Sequence, residues 1–139
     1  MKEYSELMIR HLELIQSTIS RMASNSFLLK GWTITLIAGM FALASRDASL
    51  LFFMITYFPL LIFWCLDSYY LQTERRYREL YRKVLSAKSA DFSLIPPKPC
   101  WSEKTMYIQS FTSKTEMGFY FPTAILILIV IALVNKFSM

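Results

Sequence analysis

Five cationic side chains, Arg75, Arg76, Arg78, Arg82 and Lys83, fall within nine residues and interleave with Tyr77 and Tyr81. On a helix, Arg75, Arg78 and Arg82 share one face, while Tyr77, Leu80, Tyr81 and Val84 share another. Guanidinium groups take phosphate oxygens through paired hydrogen bonds, and aromatic rings stack on bases. Such a helix suits an anionic, base-bearing ligand. Two plainer readings stand beside that one. A basic run after a membrane span is the ordinary mark of the cytoplasmic side, and it can rest on anionic lipid. Glu74 and Glu79 also precede Arg78 and Lys83 by four residues, the spacing of neutralising pairs.

Two further constellations stand out. Asp67 ends an apolar run, and Lys30 begins another. Charged residues at such boundaries pair with one another, so a membrane-edge ion pair between Lys30 and Asp67 is expected. The other is a stripe of small residues, Gly31, Thr35, Gly39, Ala42 and Ser45, with Ala38 beside it. Small residues let helix backbones approach closely, and this drives association in lipid. The stripe is read as a contact between protomers, with packing inside one protomer as the alternative. Thr33, Thr35 and Ser45 are the polar side chains this segment could offer to a pore.

No catalytic arrangement stands out. No glycine-rich phosphate loop is present, the three glycines lying apart at 31, 39 and 118, and no histidine pair stands at metal-ligand spacing with a carboxylate. There is no Ser-His-Asp or Cys-His pattern. Neither enzymatic chemistry nor a cofactor is expected. Cys65 and Cys100 read as two unpaired thiols in a reducing compartment. His11, the one histidine, reads as a surface or packing residue.

The elements that must position these residues follow from the apolar pattern. The chain has 139 residues, 55% of them hydrophobic, more apolar surface than one small soluble domain can bury. Residues 4–25 lack Gly and Pro and repeat Leu7, Met8, Leu12, Ile15, Ile19 and Met22 at helical spacing. This predicts an amphipathic helix over 1–29 whose stripe needs a partner, another protomer or the basic helix. No secretory signal is apparent, so the first apolar segment is expected to stay in the membrane. A transmembrane hairpin is expected over 30–67. Its first span is 31–45, its turn 46–49 and its second span 50–66, kinked at Pro59. Residues 68–116 are read as a cytosolic basic helix (68–88), a stiff linker at 96–99, and an ambiguous stretch, interfacial helix or irregular cover, from 101 to 116. A third span, 117–134, and a short tail close the chain. Its eighteen residues rise roughly 1.5 Å each, nearly enough for a hydrocarbon core of about 30 Å. Pro122 falls in its first turns, where proline is tolerated. Four Lys and Arg lie in the first thirty residues and nine between 67 and 117, against Arg46 in the turn and Lys136 in the tail. The N-terminus is therefore expected in the cytoplasm and the C-terminus outside.

A family resemblance lies on these same segments. Ile15-Gln16, Arg21-Met22-Ala23, Asn25-Ser26-Phe27 and Lys30-Gly31-Trp32 follow one another in the order seen in a widespread group of small bacterial membrane proteins. The second half of the pattern is carried by Trp64, Leu66-Asp67, Tyr69-Tyr70, Glu74-Arg75, Arg78 and Leu80-Tyr81. Over residues 11–81 the chain resembles the small transmembrane effectors of bacterial antiphage operons, the HalB-like effectors of the Hailong system. The remainder matches only as a final hydrophobic span. The resemblance implies a homo-oligomeric channel in the bacterial inner membrane, a tetramer, with a nucleotidyltransferase encoded nearby. That enzyme would make a single-stranded oligodeoxyadenylate that sits in the cytosolic part of the channel and keeps it shut. Loss of the oligomer during infection would open the pore and depolarise the membrane.

The expectation is therefore an all-α membrane protein with three transmembrane helices, an N-terminal amphipathic helix and a cytosolic basic extension of the second span. Its expected function is that of a ligand-gated membrane effector. Two alternatives of other classes remain: a membrane-anchored interaction module without a pore, which recruits a soluble partner or anionic lipid, and a holin-like lysis protein.

Overall fold

The computed structural model describes residues 2–44, 54–87, 92–96 and 102–137. Four helices account for most of them, and no strand occurs among the described residues. They are α1 (Lys2–Ala44), α2 (Tyr57–Ser86), α3 (Glu103–Phe111) and α4 (Lys114–Phe137). The turn at 46–49, residues 50–53 of the expected second span, Ser45, Cys100 and the linker residues 97–99 lie outside the described residues.

α1 is one uninterrupted helix of 43 residues because nothing within it stops the chain: no proline, and no glycine before Gly31. The amphipathic segment therefore runs straight into the apolar one. α2 is likewise continuous from its apolar half into its basic half. Pro59 sits in the first turn of α2, and the helical residues 54–55 are set off from it by a turn at Thr56. A proline removes one backbone donor and crowds the carbonyl four residues earlier, here Ile55, so the break falls just before the ring. At the other end, extended Ala87 closes α2, its N–H donating to the carbonyls of Lys83 (3.0 Å) and Val84 (3.1 Å). Lys83 in the last turn suits the negative end of the helix dipole.

α1 and α2 pack as an antiparallel pair with two apolar cores. The first holds Ile15, Ile19, Leu80 and Val84, with Met8, Leu12, Tyr77 and Tyr81 packed around them. The amphipathic stripe is thus covered by the basic helix of the same chain. Leu7, at the margin of the stripe, remains exposed. The second core joins Ile37 of α1, Leu60 of α2 and Tyr120 and Ile127 of α4. Truncating Ile15 or Leu80 to Ala should cost about 2–5 kcal/mol, the range for emptying a filled core site. Leu85→Ala, at a 59% exposed position, should stay within about 0.5 kcal/mol. Thermal unfolding in detergent checks the contrast, and equal losses would contradict the assigned core.

The ambiguous stretch before the third span resolves into α3, a two-residue turn and the start of α4. α4 begins at Lys114, three residues before the expected span. Ser113 caps it: its hydroxyl accepts from the Glu116 N–H (3.4 Å) and its carbonyl from the Met117 N–H (2.9 Å). Pro122 consequently lies inside the helix rather than in its first turns, and the carbonyl four residues back belongs to Gly118. Among the described residues, two helices are long and apolar enough to cross a bilayer: α1 over Glu6–Leu43 and α4 over Lys114–Leu133. The exposed faces of these segments carry Trp32, Ile34, Leu43, Leu126 and Leu128, consistent with membrane association.

Candidate anion-binding groove and buried charge cluster

The basic helix, the strongest chemical feature of the sequence, is divided by its packing. The i, i+3 and i+4 spacing along α2 brings Arg78, Tyr81 and Arg82 against Gln16 and Ile19 of α1, lining a groove of about 460 Å³. Arg78 and Arg82 also line a second, open space of about 240 Å³ against α3, with Arg75, Glu79, Met106 and Gln109. Arg78 is held by Glu74, with Nε and Nη2 each 2.7 Å from Oε1. Arg82 is exposed and has no carboxylate partner among the described residues. Arg75 is used differently. Its Nη1 donates to Ser110 Oγ (3.3 Å) and toward the Gln109 carbonyl (3.5 Å), tying α3 to α2. Arg76 stands on the opposite flank of α3, with Tyr69, Gln72, Lys104 and Tyr107. Tyr77 packs in the α1–α2 core, and Lys83 is exposed in the last turn. Of the seven residues expected to bind ligand, Arg78, Tyr81 and Arg82 meet in one groove.

A second site is assembled between the two apolar cores. Lys30 Nζ contacts Asp67 Oδ2 and donates to Glu116 Oε1 (3.1 Å) and Ser26 Oγ (3.1 Å). Tyr120 OH donates to the same Asp67 oxygen at 3.0 Å. Nζ also lies 5.9 Å and 5.8 Å from the ring centres of Phe119 and Tyr120, within cation–π range. The side chains of Asp67 and Glu116 are 0% and 1% exposed and that of Lys30 is 16% exposed. Residues of α1, α2 and α4 are therefore joined in a buried cluster. Asp67 Oδ1 and Glu116 Oε2 are buried without a hydrogen-bond partner among the described residues. The expected pair was Lys30 with Asp67 alone; Glu116 and Tyr120 complete the cluster. The available signal is Ser113-Lys114-Thr115-Glu116, the spacing of a capping box, which places Glu116 inside the helix and not before it. Here the glutamate turns to Lys30 instead of back to the cap.

The small-residue stripe faces outward. Gly31, Thr35, Gly39 and Ala42 are exposed, and a Cβ added at Gly31 or Gly39 would meet nothing within 4 Å. Thr35 bonds back to the Gly31 carbonyl (3.0 Å). Thr33, by contrast, is fully buried and bonded to the Leu29 carbonyl (2.8 Å), so it lies off that face. His11 is buried in α1. Its Nε2 lies 3.0 Å from the Ser93 carbonyl and its ring is 5.4 Å from that of Phe92, so it fastens residues 92–93 against α1. Cys65 is an exposed free thiol. No group of three metal-ligating side chains occurs among the described residues. Comparisons with family models, with curated proteins and with solved structures find no match to this chain.

Proposed function

We propose that this chain is a three-span effector of the bacterial inner membrane that assembles into a homo-oligomeric channel and is held closed by an anionic, base-bearing ligand on its cytosolic side. The observation that carries the reading is the α1–α2 groove, in which exposed Arg78 and Arg82 lie beside Tyr81 and away from the apolar halves of the helices. Its volume of about 460 Å³ falls in the range of small-molecule sites, roughly 300–1,000 Å³. The outward stripe of Gly31, Thr35 and Gly39 supplies a face on which copies can pack closely. The apolar half of α2, with exposed Phe58, Leu61 and Ile62, would be the middle span.

Gating follows from charge. Arg78 and Arg82 repeated around an axis repel one another, and an anionic oligomer between them offsets the repulsion. The ligand then favours the state that brings the arginines together, and its loss favours the other. A single-stranded oligodeoxyadenylate, the ligand implied by the family resemblance, has the required phosphates and stacking bases. A nucleotidyltransferase encoded nearby would supply it.

The test is ion or dye efflux from liposomes carrying the purified chain. Efflux that falls on adding oligodeoxyadenylate supports the reading. No efflux at any ligand level points to a membrane-anchored module, and ligand-indifferent efflux to a holin-like pore. Gly39→Leu is expected to lower the subunit count in native mass spectrometry and bring efflux down to the protein-free rate, because a long side chain holds the backbones apart. An unchanged subunit count would remove the stripe from the assembly interface.

A further inference from the structure

The flank of α2 that turns away from the arginine groove has its own pair of open surface depressions. One, of about 620 Å³, is bounded by the apolar side chains of Phe58, Leu61, Ile62 and Leu66 and closed by Tyr69 and Tyr107. The other, of about 490 Å³, shares Tyr69 and Tyr107 and adds Arg76 and Lys104. The two therefore form one groove whose character changes from hydrocarbon to cation at a pair of tyrosines. Tyr107 OH donates to the Cys65 carbonyl (2.8 Å), which fixes α3 over this boundary.

We propose that this groove binds one anionic phospholipid, with an acyl chain along residues 58–66 and the phosphate between Arg76 and Lys104. The inference rests on the membrane-spanning reading above. Three features argue for lipid. From Phe58 to Tyr69 the helix rises about 16 Å at roughly 1.5 Å per residue, against about 15 Å for one leaflet of hydrocarbon. Tyrosine at the boundary is the residue type that favours the headgroup level. No carboxylate lines the polar end among the described residues. Arg76 Nε is buried without a hydrogen-bond partner among the described residues, and Lys104 sits in the first turn of α3, where the helix dipole already carries positive charge. Helical side chains lean toward the N-terminus, so Arg76 reaches back from its own turn toward the tyrosines. A phosphodiester there would accept from the guanidinium fork and from the ammonium together.

The experiment is native mass spectrometry of the full chain in detergent with equal amounts of phosphatidylglycerol and phosphatidylcholine of identical acyl chains. Two cations near an anionic headgroup should favour the glycerol lipid by about ten-fold or more. Arg76→Gln with Lys104→Gln should bring the ratio to near one. Neither side chain has a hydrogen bond within the chain among the described residues, so the pair can be replaced without dismantling a contact. Arg78→Gln with Arg82→Gln should leave the ratio as it was. Equal retention of both lipids by the unaltered chain overturns the proposal. So does a preference that survives the first double variant or vanishes in the second, and so does displacement by glycerol 3-phosphate at comparable concentration, which marks a free-anion site. Alkaline-carbonate fractionation separates the two levels of failure. A membrane-retained chain without lipid preference overturns only this site, whereas a chain released to the soluble fraction overturns the membrane reading beneath it.

Discussion

Reversing both charges in the α1–α2 groove, Arg78→Glu with Arg82→Glu, is expected to weaken oligodeoxyadenylate binding by at least about a hundred-fold. Hydrogen bonds to charged groups contribute about 1.5–3 kcal/mol each, and about 1.4 kcal/mol is a factor of ten, so losing two contacts accounts for that much before any repulsion. Reversal adds repulsion between the new carboxylates and phosphate. It also places one of those carboxylates beside Glu74, which now holds Arg78 at 2.7 Å. Salt dependence provides a second readout. For single strands each lost phosphate contact lowers the slope of log K against log salt by about 0.7, so the slope should fall by about 1.4. Fluorescence polarisation with a labelled oligomer measures both quantities. Arg76→Glu, across α3 from the groove, should change binding little. If the ligand holds the channel shut, the double variant should also leak in liposomes with ligand present and be toxic to cells without phage. Binding that is unchanged in the double variant would place the ligand elsewhere.

How much of this was legible in the sequence depends on whether a feature is local. The apolar repeat at Ile15 and Ile19 is local, as is the face of Leu80 and Val84, and these four residues form the first core. That each stripe would cover the other was one of two options, since a second copy would serve as well by periodicity alone. Charge in apolar surroundings is also a local signal, and Lys30 and Asp67 meet. The third charge escaped because Glu116 stands at the head of the last apolar run, where a flanking acid reads as solvated. Its burial is a property of three helices crossing at one level. The partition of the basic helix is likewise tertiary. Arg75 and Arg76 are neighbours in sequence, yet α3 passes between them because Trp64 stacks on Phe111 (4.3 Å) and donates to its carbonyl (3.2 Å). No spacing rule within residues 75–83 contains that information.

The buried cluster sits between the arginine groove and the apolar halves of the helices, so its integrity decides whether the two halves act as one body. The arrangement has one cation, Lys30, for two carboxylates, Asp67 and Glu116, at a buried junction of α1, α2 and α4. Removing a partner from a buried ion pair typically costs about 3–5 kcal/mol, because the charge left behind has lost both water and its counter-ion. Lys30→Met should therefore be the most damaging single change at this level. It strands two carboxylates and also removes the hydrogen bond to Ser26. At roughly 3–4 °C per kcal/mol for a chain of this size, the apparent melting temperature in detergent should fall by about 9–20 °C. Glu116→Gln should be much milder. Lys30 retains Asp67, the Tyr120 hydroxyl still donates to that carboxylate, and the excess of acid over base is gone. Combining Lys30→Met with Asp67→Asn and Glu116→Gln should recover most of the loss, since a neutral junction carries no stranded charge. The order of the three variants is the decisive quantity. A Glu116→Gln chain that melts below Lys30→Met, or a triple variant no better than the single, would mean that the cluster is held by shape and not by charge. In that case the two halves of the chain would be joined chiefly through the apolar contacts of Ile37, Leu60, Tyr120 and Ile127.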